Sequence, residues 1–264
     1  MATATQTSPA STASGDDDAD TGRRRIRPHQ WVLALGVFVG LFTAGSGIAA
    51  AIFDQQSGSE IHRTVFGNIP TAAKVAFYSV LPVLIIWGAW EFSKRVRNWQ
   101  RGAPDNRATT TKNVEKRAKS LRAGLYMQTL MREPAAGIMH SLIYFSFIIL
   151  LGVTTTLEVD HQLPEDLKFL HGGTYKAYAF VGDFAGVVFT VGVIWAIVRR
   201  YVQRPYRIRI KTKAEHAVIL GTLLAIGLTG FLAEGFRIAV DGMPDYEKYS
   251  FIGYPMATWF DGLS

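Results

Sequence analysis

Apolar residues in this chain are gathered into runs rather than scattered. Five runs of about twenty residues stand out: Trp31–Phe53, Ala72–Phe92, Gly137–Leu157, Ala177–Val198 and Ala217–Phe236. A helix of about 20 residues crosses the hydrocarbon core of a bilayer. Lipid offers backbone groups no hydrogen-bond partner, so such runs must span as helices. One apolar run is compatible with a buried core helix. Five in series, separated by charged stretches, predict an all-α, polytopic membrane helix bundle with five transmembrane helices.

Charge sets the orientation. Of the 28 Lys and Arg residues, 22 lie in residues 1–30, 93–136 and 199–215, whereas five lie in 54–71, 158–176 and 237–264; Lys74 sits within the second run. Loops rich in Lys and Arg stay in the cytoplasm. The N-terminus is therefore expected inside and the segment after the fifth run outside. The net charge of +7 follows from this topology and from attraction to anionic lipid heads, and nucleic-acid binding is not needed to explain it.

The chain divides into a cytoplasmic tail over 1–25, a bundle over 26–240 and an extracytoplasmic segment over 241–264. The tail is rich in Ser, Thr, Ala and Asp and is expected to be disordered. Arg23–Arg25 ahead of an apolar run resembles a twin-arginine export signal, with Ala49–Ala51 as a cleavage site. The run is long for a signal core, which favours an uncleaved anchor. Between the second and third spans, Thr109–Arg132 is basic and carries Val114, Ala118, Leu121 and Leu125 at helical spacing. That pattern fits a helix lying on the inner membrane surface, a docking face for a soluble partner, or a solvated linker. Small residues four apart, Gly36, Gly40 and Ala44, and Gly182 and Gly186, permit close helix packing.

The absence of cysteine excludes disulfides and any iron–sulfur cluster held by this chain. Ionisable residues inside spans are costly and are functional candidates by default. His140 falls near the inner end of the third span and His216 at the inner mouth of the fifth. Two imidazoles at one depth on different helices have the chemistry to hold a b-type haem iron; an interfacial histidine is the plainer reading of each. Asp183 lies about two turns into the fourth span from outside, and Glu234 near the outer end of the fifth. Glu91 and Glu158 lie at helix ends. His29, His62, His161 and His171 fall in loops or at helix borders.

Two stretches carry a resemblance. The segment KSLRAGLYMQTLMREPAAGIMHSLIYFSFIILLGVTTTLE, followed by TYKAYAFVGDFAGVVFTVGVIWAIVRRYVQRP, resembles the N-terminal membrane domain of bacterial heterodisulfide-reductase-like iron–sulfur oxidoreductases. That domain is itself similar to the nitrate reductase gamma subunit. The shared features are G-x-x-H opening a helix, the acid Glu158, an Asp183–Phe184 helix, and Arg199, Arg200 and Pro205 at its end. The resemblance covers roughly Arg117 to Val240.

It implies a membrane module that carries haem b and relays electrons between a quinone and a cytoplasmic iron–sulfur or flavin domain or partner. This would be part of a quinone-linked oxidoreductase in the bacterial inner membrane. His140 occupies the position of a haem ligand. The opposing ligand in such proteins comes from a further helix, so the chain reads as a part of something longer, with His216 as the in-chain candidate. Leu150 stands where a second haem would need a histidine, so one haem is expected. Asp183 and Glu158 are candidates for moving protons linked to quinone chemistry; His171 and Tyr178 are weaker quinone-site candidates. The alternatives are a cofactor-free membrane anchor and a small transporter.

Overall fold

The computed structural model describes residues 27–53, 60–67, 69–101, 109–128, 130–206 and 213–262. The N-terminal tail, with its arginine run, lies outside them. Five helices are long and apolar enough to cross a membrane: α1 (Pro28–Phe53), α2 (Thr71–Trp99), α4 (Pro134–Gln162), α5 (Gly172–Ile197) and α6 (Ala214–Val240). Two shorter helices join them, α3 (Thr111–Leu125) between α2 and α4, and α7 (Gly253–Asp261) after α6. No strand forms among the described residues. Each spanning helix extends past its apolar run, because polar residues at the ends continue the helix into the headgroup region. α5 continues as a π-turn over Val198–Gln203 and stops at Arg204, whose left-handed backbone (φ 44°) precedes Pro205.

Neighbouring spans run antiparallel, and glycines mark where they touch. On the α1–α2 hairpin Gly36 faces Ala89, Gly40 faces Ile86 and Gly47 faces the ring of Tyr78. A side chain at any of these would strike α2; a Cβ on Gly40 would lie 3.0 Å from Ile86 Cγ1. Gly192 meets Ile143 across α4–α5, and Gly186 meets Phe231 across α5–α6. Backbones that approach this closely gain dispersion contacts, which drive helix association where lipid removes the hydrophobic force.

α5 is the central helix. It packs against both α4 and α6 and buries Tyr175, Asp183, Phe189 and Val193 among others. α6 is peripheral: the most apolar stretch of this span contains no buried residue.

Contacts between loops sort the chain into two rims. At one, His29 Nδ1 lies 2.8 Å from Gln100 Oε1, and Arg199 pairs with Glu133. At the other, Ser46 donates to Gln162 Oε1 (2.6 Å), the backbone of His62 bridges that of His171, and the Tyr246 hydroxyl donates to the His62 carbonyl (3.2 Å). The first rim joins the arginine-rich loops and the second the arginine-poor ones, as alternation across a bilayer requires. They are called inner and outer below.

After α6 the chain reverses through Gly242 (φ +78°) and Met243 (φ 55°); the first is a backbone state that glycine adopts without strain. It then makes a short 3₁₀ turn at Asp245–Tyr249 and packs α7 back on α6. Residues 241–262 thus fold as a cap on the outer rim.

Candidate functional site

Most buried polar side chains of the described residues gather toward the outer rim. The core of the cluster lies where α5, α6 and α7 meet. Asp183 is 2% exposed. Its Oδ2 accepts the backbone N–H groups of Ile252 (2.6 Å) and Gly253 (3.3 Å), so a carboxylate from α5 caps the start of α7. This satisfies donors that any helix N-terminus leaves orphaned and sets negative charge at its positive end. The other oxygen of Asp183 is buried without an amide or hydroxyl donor. Glu234 lies against Gly253, the residue whose amide Asp183 accepts, and Ser250 Oγ donates to Glu234 Oε1 (3.0 Å). Two carboxyl groups, one from α5 and one from α6, thus converge on the start of α7.

One turn outward, Arg237 on α6 makes a two-pronged ion pair with Glu247, at 2.6 and 3.1 Å. Glu247 is 1% exposed and also accepts from the Tyr175 hydroxyl (2.7 Å). Asp241 lies 3.5 Å from Arg237. Burial pushes the Asp241 carboxyl above its ordinary value, against the pull of Arg237.

A second polar chain ties α1, α2 and α4 together. Glu158 accepts from the Tyr78 hydroxyl (3.2 Å) and from Gln162 Nε2 (2.5 Å), and Gln162 in turn accepts from Ser46. The buried ring of Tyr78 stacks on His161, centroids 6.4 Å apart. Beside His161 is a cavity of about 10 Å³ lined by Arg63, Asp160 and Lys168 among others; that is room for about one water.

The sequence candidates fall as follows. Asp183 and Glu158 enter these two networks. Tyr178 donates to the Val153 carbonyl (3.2 Å). His171 is exposed at the outer rim, where it precedes α5 and pairs through its backbone with His62. His140 is exposed on α4, one to two turns from the inner end. His216 is half-buried and turned onto its own helix terminus, its Nδ1 accepting the Lys213 N–H (3.2 Å).

Haem b fits these two histidines poorly as they stand. The imidazoles are not set opposite each other across a described cavity. A groove of about 790 Å³ lies between α1 and α2 at the inner rim, against His29, Leu33, Trp90 and Arg97. A second, about 440 Å³, lies on α4 against Ile148, Leu151, Thr155 and Phe169. Neither histidine lines either one. The described residues also contain no group of three or more His, Cys, Asp or Glu placed to hold a metal ion.

Sequence reasoning missed Tyr78, Arg237 and Glu247, and read His161 only as a residue in a loop or at a helix border, whereas it is buried in the last turn of α4. Tyr78 and Arg237 were legible only as polar residues in or beside apolar runs. Nothing local marks Glu247, whose burial depends on the chain folding back after α6.

The chain is similar to a protein named EtfAB:quinone oxidoreductase from Syntrophomonas wolfei, with 27% identity over 179 residues. The matched part is 67% of this chain and 24% of that protein, so the chain spans about a quarter of its relative's length. No family model matches the chain, and no solved structure matches it significantly.

Proposed function

We propose that this chain is a membrane module of a quinone-linked electron-transfer protein. In this reading it sits in a bacterial plasma membrane and serves electron exchange between a quinone and a cytoplasmic iron–sulfur or flavin partner. The observation that carries the reading is the similarity over 179 residues to a protein named for quinone chemistry. Two carboxyl groups that converge at the start of α7 support it. Reduction of a quinone to a quinol takes up two electrons and two protons, and oxidation releases them. Buried Asp183 and half-buried Glu234, which converge on Gly253 at the start of α7, are suited to exchange one of those protons near the outer face. Glu158 and His171, at the same rim, extend the route toward water.

Haem b is the finer part of the proposal. His140 is the candidate axial ligand, and when bound the group would pass single electrons. Because the described residues do not enclose it, a haem there needs a wall from another helix, and the proton chemistry above stands without it.

The test uses the whole chain purified in nanodiscs and titrated with ubiquinone-1 and with menadione, read by quenching of its six tryptophans. Saturable quenching that is weakened in Asp183→Asn and Glu234→Gln supports the reading. Quenching that rises linearly, as simple partitioning into lipid does, overturns it. A dithionite-reduced minus oxidised spectrum of the same sample reads the haem separately. A Soret shift lost in His140→Ala supports the ligand; a colourless protein that still binds quinone removes haem and leaves the quinone reading in place.

A further inference from the structure

The helix α3 buries none of its residues against the rest of the described chain. It is capped at its start by Thr110, whose hydroxyl accepts the Asn113 N–H (3.4 Å), and it runs fifteen residues without a single buried one. Val114, Leu121 and Leu125 are 49%, 65% and 50% exposed. With Ala118 they form one stripe at i, i+4, i+7 and i+11, a single face of a helix. The opposite side carries Lys112, Lys116 and Lys119, with Arg122 at the border; Glu115 is the one acid of the helix and pairs with Lys119 at 2.7 Å. An isolated helix of this length is marginal in water, so something must cover the apolar stripe.

We propose that α3 lies in the headgroup region of the leaflet at the inner rim, its apolar stripe sunk toward the acyl chains and its lysines on anionic phospholipid headgroups. Three observations choose the lipid surface over a protein. The helix is tethered between two spans at the arginine-rich rim, and Leu125 is nine residues from Pro134, where α4 enters the membrane. A fully extended chain of that length reaches only about 30 Å, so α3 cannot leave the bilayer surface far behind. The excess of positive charge complements an anionic leaflet. Tyr126, exposed just beyond the helix with Arg122 5.9 Å from its ring, suits the aromatic zone at the membrane–water boundary. The inference rests on the topology alone and does not depend on the quinone reading.

The absence of cysteine makes the test clean. An environment-sensitive dye is attached to Leu121→Cys or, on the opposite face, to Lys119→Cys, in the full chain reconstituted into vesicles. One set of vesicles is phosphatidylcholine with phosphatidylglycerol, the other phosphatidylcholine alone. With phosphatidylglycerol, the dye at 121 should emit at shorter wavelength and be several-fold less quenched by aqueous iodide than the dye at 119. That protection should weaken in phosphatidylcholine alone, and weaken likewise when Lys112→Gln, Lys116→Gln and Arg122→Gln are combined with Leu121→Cys. Equal quenching at 119 and 121 in both vesicles would show a solvated helix and overturn the proposal. Protection that ignores lipid composition would overturn the headgroup assignment. Protection of 121 that arises only on adding a soluble redox partner would show a protein-docking face instead.

Discussion

Asp183 on α5 and Glu234 on α6 converge on Gly253 at the first turn of α7: Asp183 Oδ2 accepts its N–H (3.3 Å), and the Glu234 side chain lies against it. The same Asp183 oxygen also accepts the Ile252 N–H (2.6 Å). One carboxylate of α5 thus anchors α7, which separates two classes of variant. Asp183→Ala removes the acceptor for two buried N–H groups and should cost about 1–3 kcal/mol. Asp183→Asn keeps an acceptor oxygen for the two α7 N–H groups, so it should lose far less. Denaturation of the micelle-bound protein with SDS checks the order; an Asn variant as unstable as the Ala variant would argue that the charge, not the hydrogen bonds, holds α7.

The α1–α2 hairpin depends on the absence of side chains along one line of α1. Gly47 lies against the ring of Tyr78, whereas Gly45, two residues earlier, meets nothing within 4 Å. Gly47→Leu should therefore destabilise by about 1–3 kcal/mol, the usual cost of overpacking, and Gly45→Leu should be close to neutral. It should also disturb the Tyr78–Glu158 hydrogen bond, visible as a changed tyrosine signal in ultraviolet resonance Raman spectra. Equal effects at 45 and 47 would mean that the hairpin does not pack as described.

The spans and their alternation were legible because both signals are local. An apolar run of bilayer length has one structural solution in lipid, and the arginine bias of each loop is read by counting. Asp183 and Glu158 stood out for the same reason, as lone charges in or beside apolar runs. Glu234 stood out likewise, but their hydrogen-bond partners did not. Tyr78 pairs with Glu158 across 80 residues, and Ile252 with Asp183 across 69; such pairs follow from helix register and from a chain reversal that no local pattern announces. α7 is nine residues long, too short for periodicity to mark it. For His140 the sequence gives the depth in the membrane, but which side of α4 finds a neighbour depends on α2 and α5.

The Arg237–Glu247 pair is a test of buried charge. Glu247→Ala leaves the Arg237 guanidinium largely buried without its bidentate partner and strips the Tyr175 hydroxyl of its acceptor. Breaking a buried pair from one side costs about 3–5 kcal/mol. Adding Arg237→Met to Glu247→Ala should recover part of that loss, because the charge then left without a partner is Asp241, at the exposed end of α6, rather than the buried guanidinium. Limited proteolysis between residues 241 and 250, compared across wild type, single and double variants, reads the local opening directly. A double variant cleaved faster than Glu247→Ala would contradict this account.

The loop between α4 and α5 is closed by a reciprocal clasp whose pH dependence has a definite sign. Lys168 Nζ donates to the carbonyls of Asp160 (2.8 Å) and His161 (3.2 Å) at the end of α4, while Asp160 Oδ1 accepts the N–H groups of Phe169 (2.7 Å) and Leu170 (2.8 Å). Burial holds the Lys168 ammonium below the ordinary lysine range, although Asp160 and Glu165 pull it the other way. Between that depressed value and the unfolded value of about 10.4, the unfolded chain binds more protons than the folded one. Stability should therefore rise with pH across that alkaline window as far as Lys168 contributes. Lys168→Met removes that slope, and it also orphans two helix-terminal carbonyls, at a cost of about 1–3 kcal/mol at neutral pH. Thermal melts of wild type and variant from pH 7 to 10.5 should converge as pH falls, because the ionised lysine carries its desolvation penalty there, and diverge as pH rises. Parallel melting curves would show that the Lys168 ammonium is no harder to hold in the folded chain than in water.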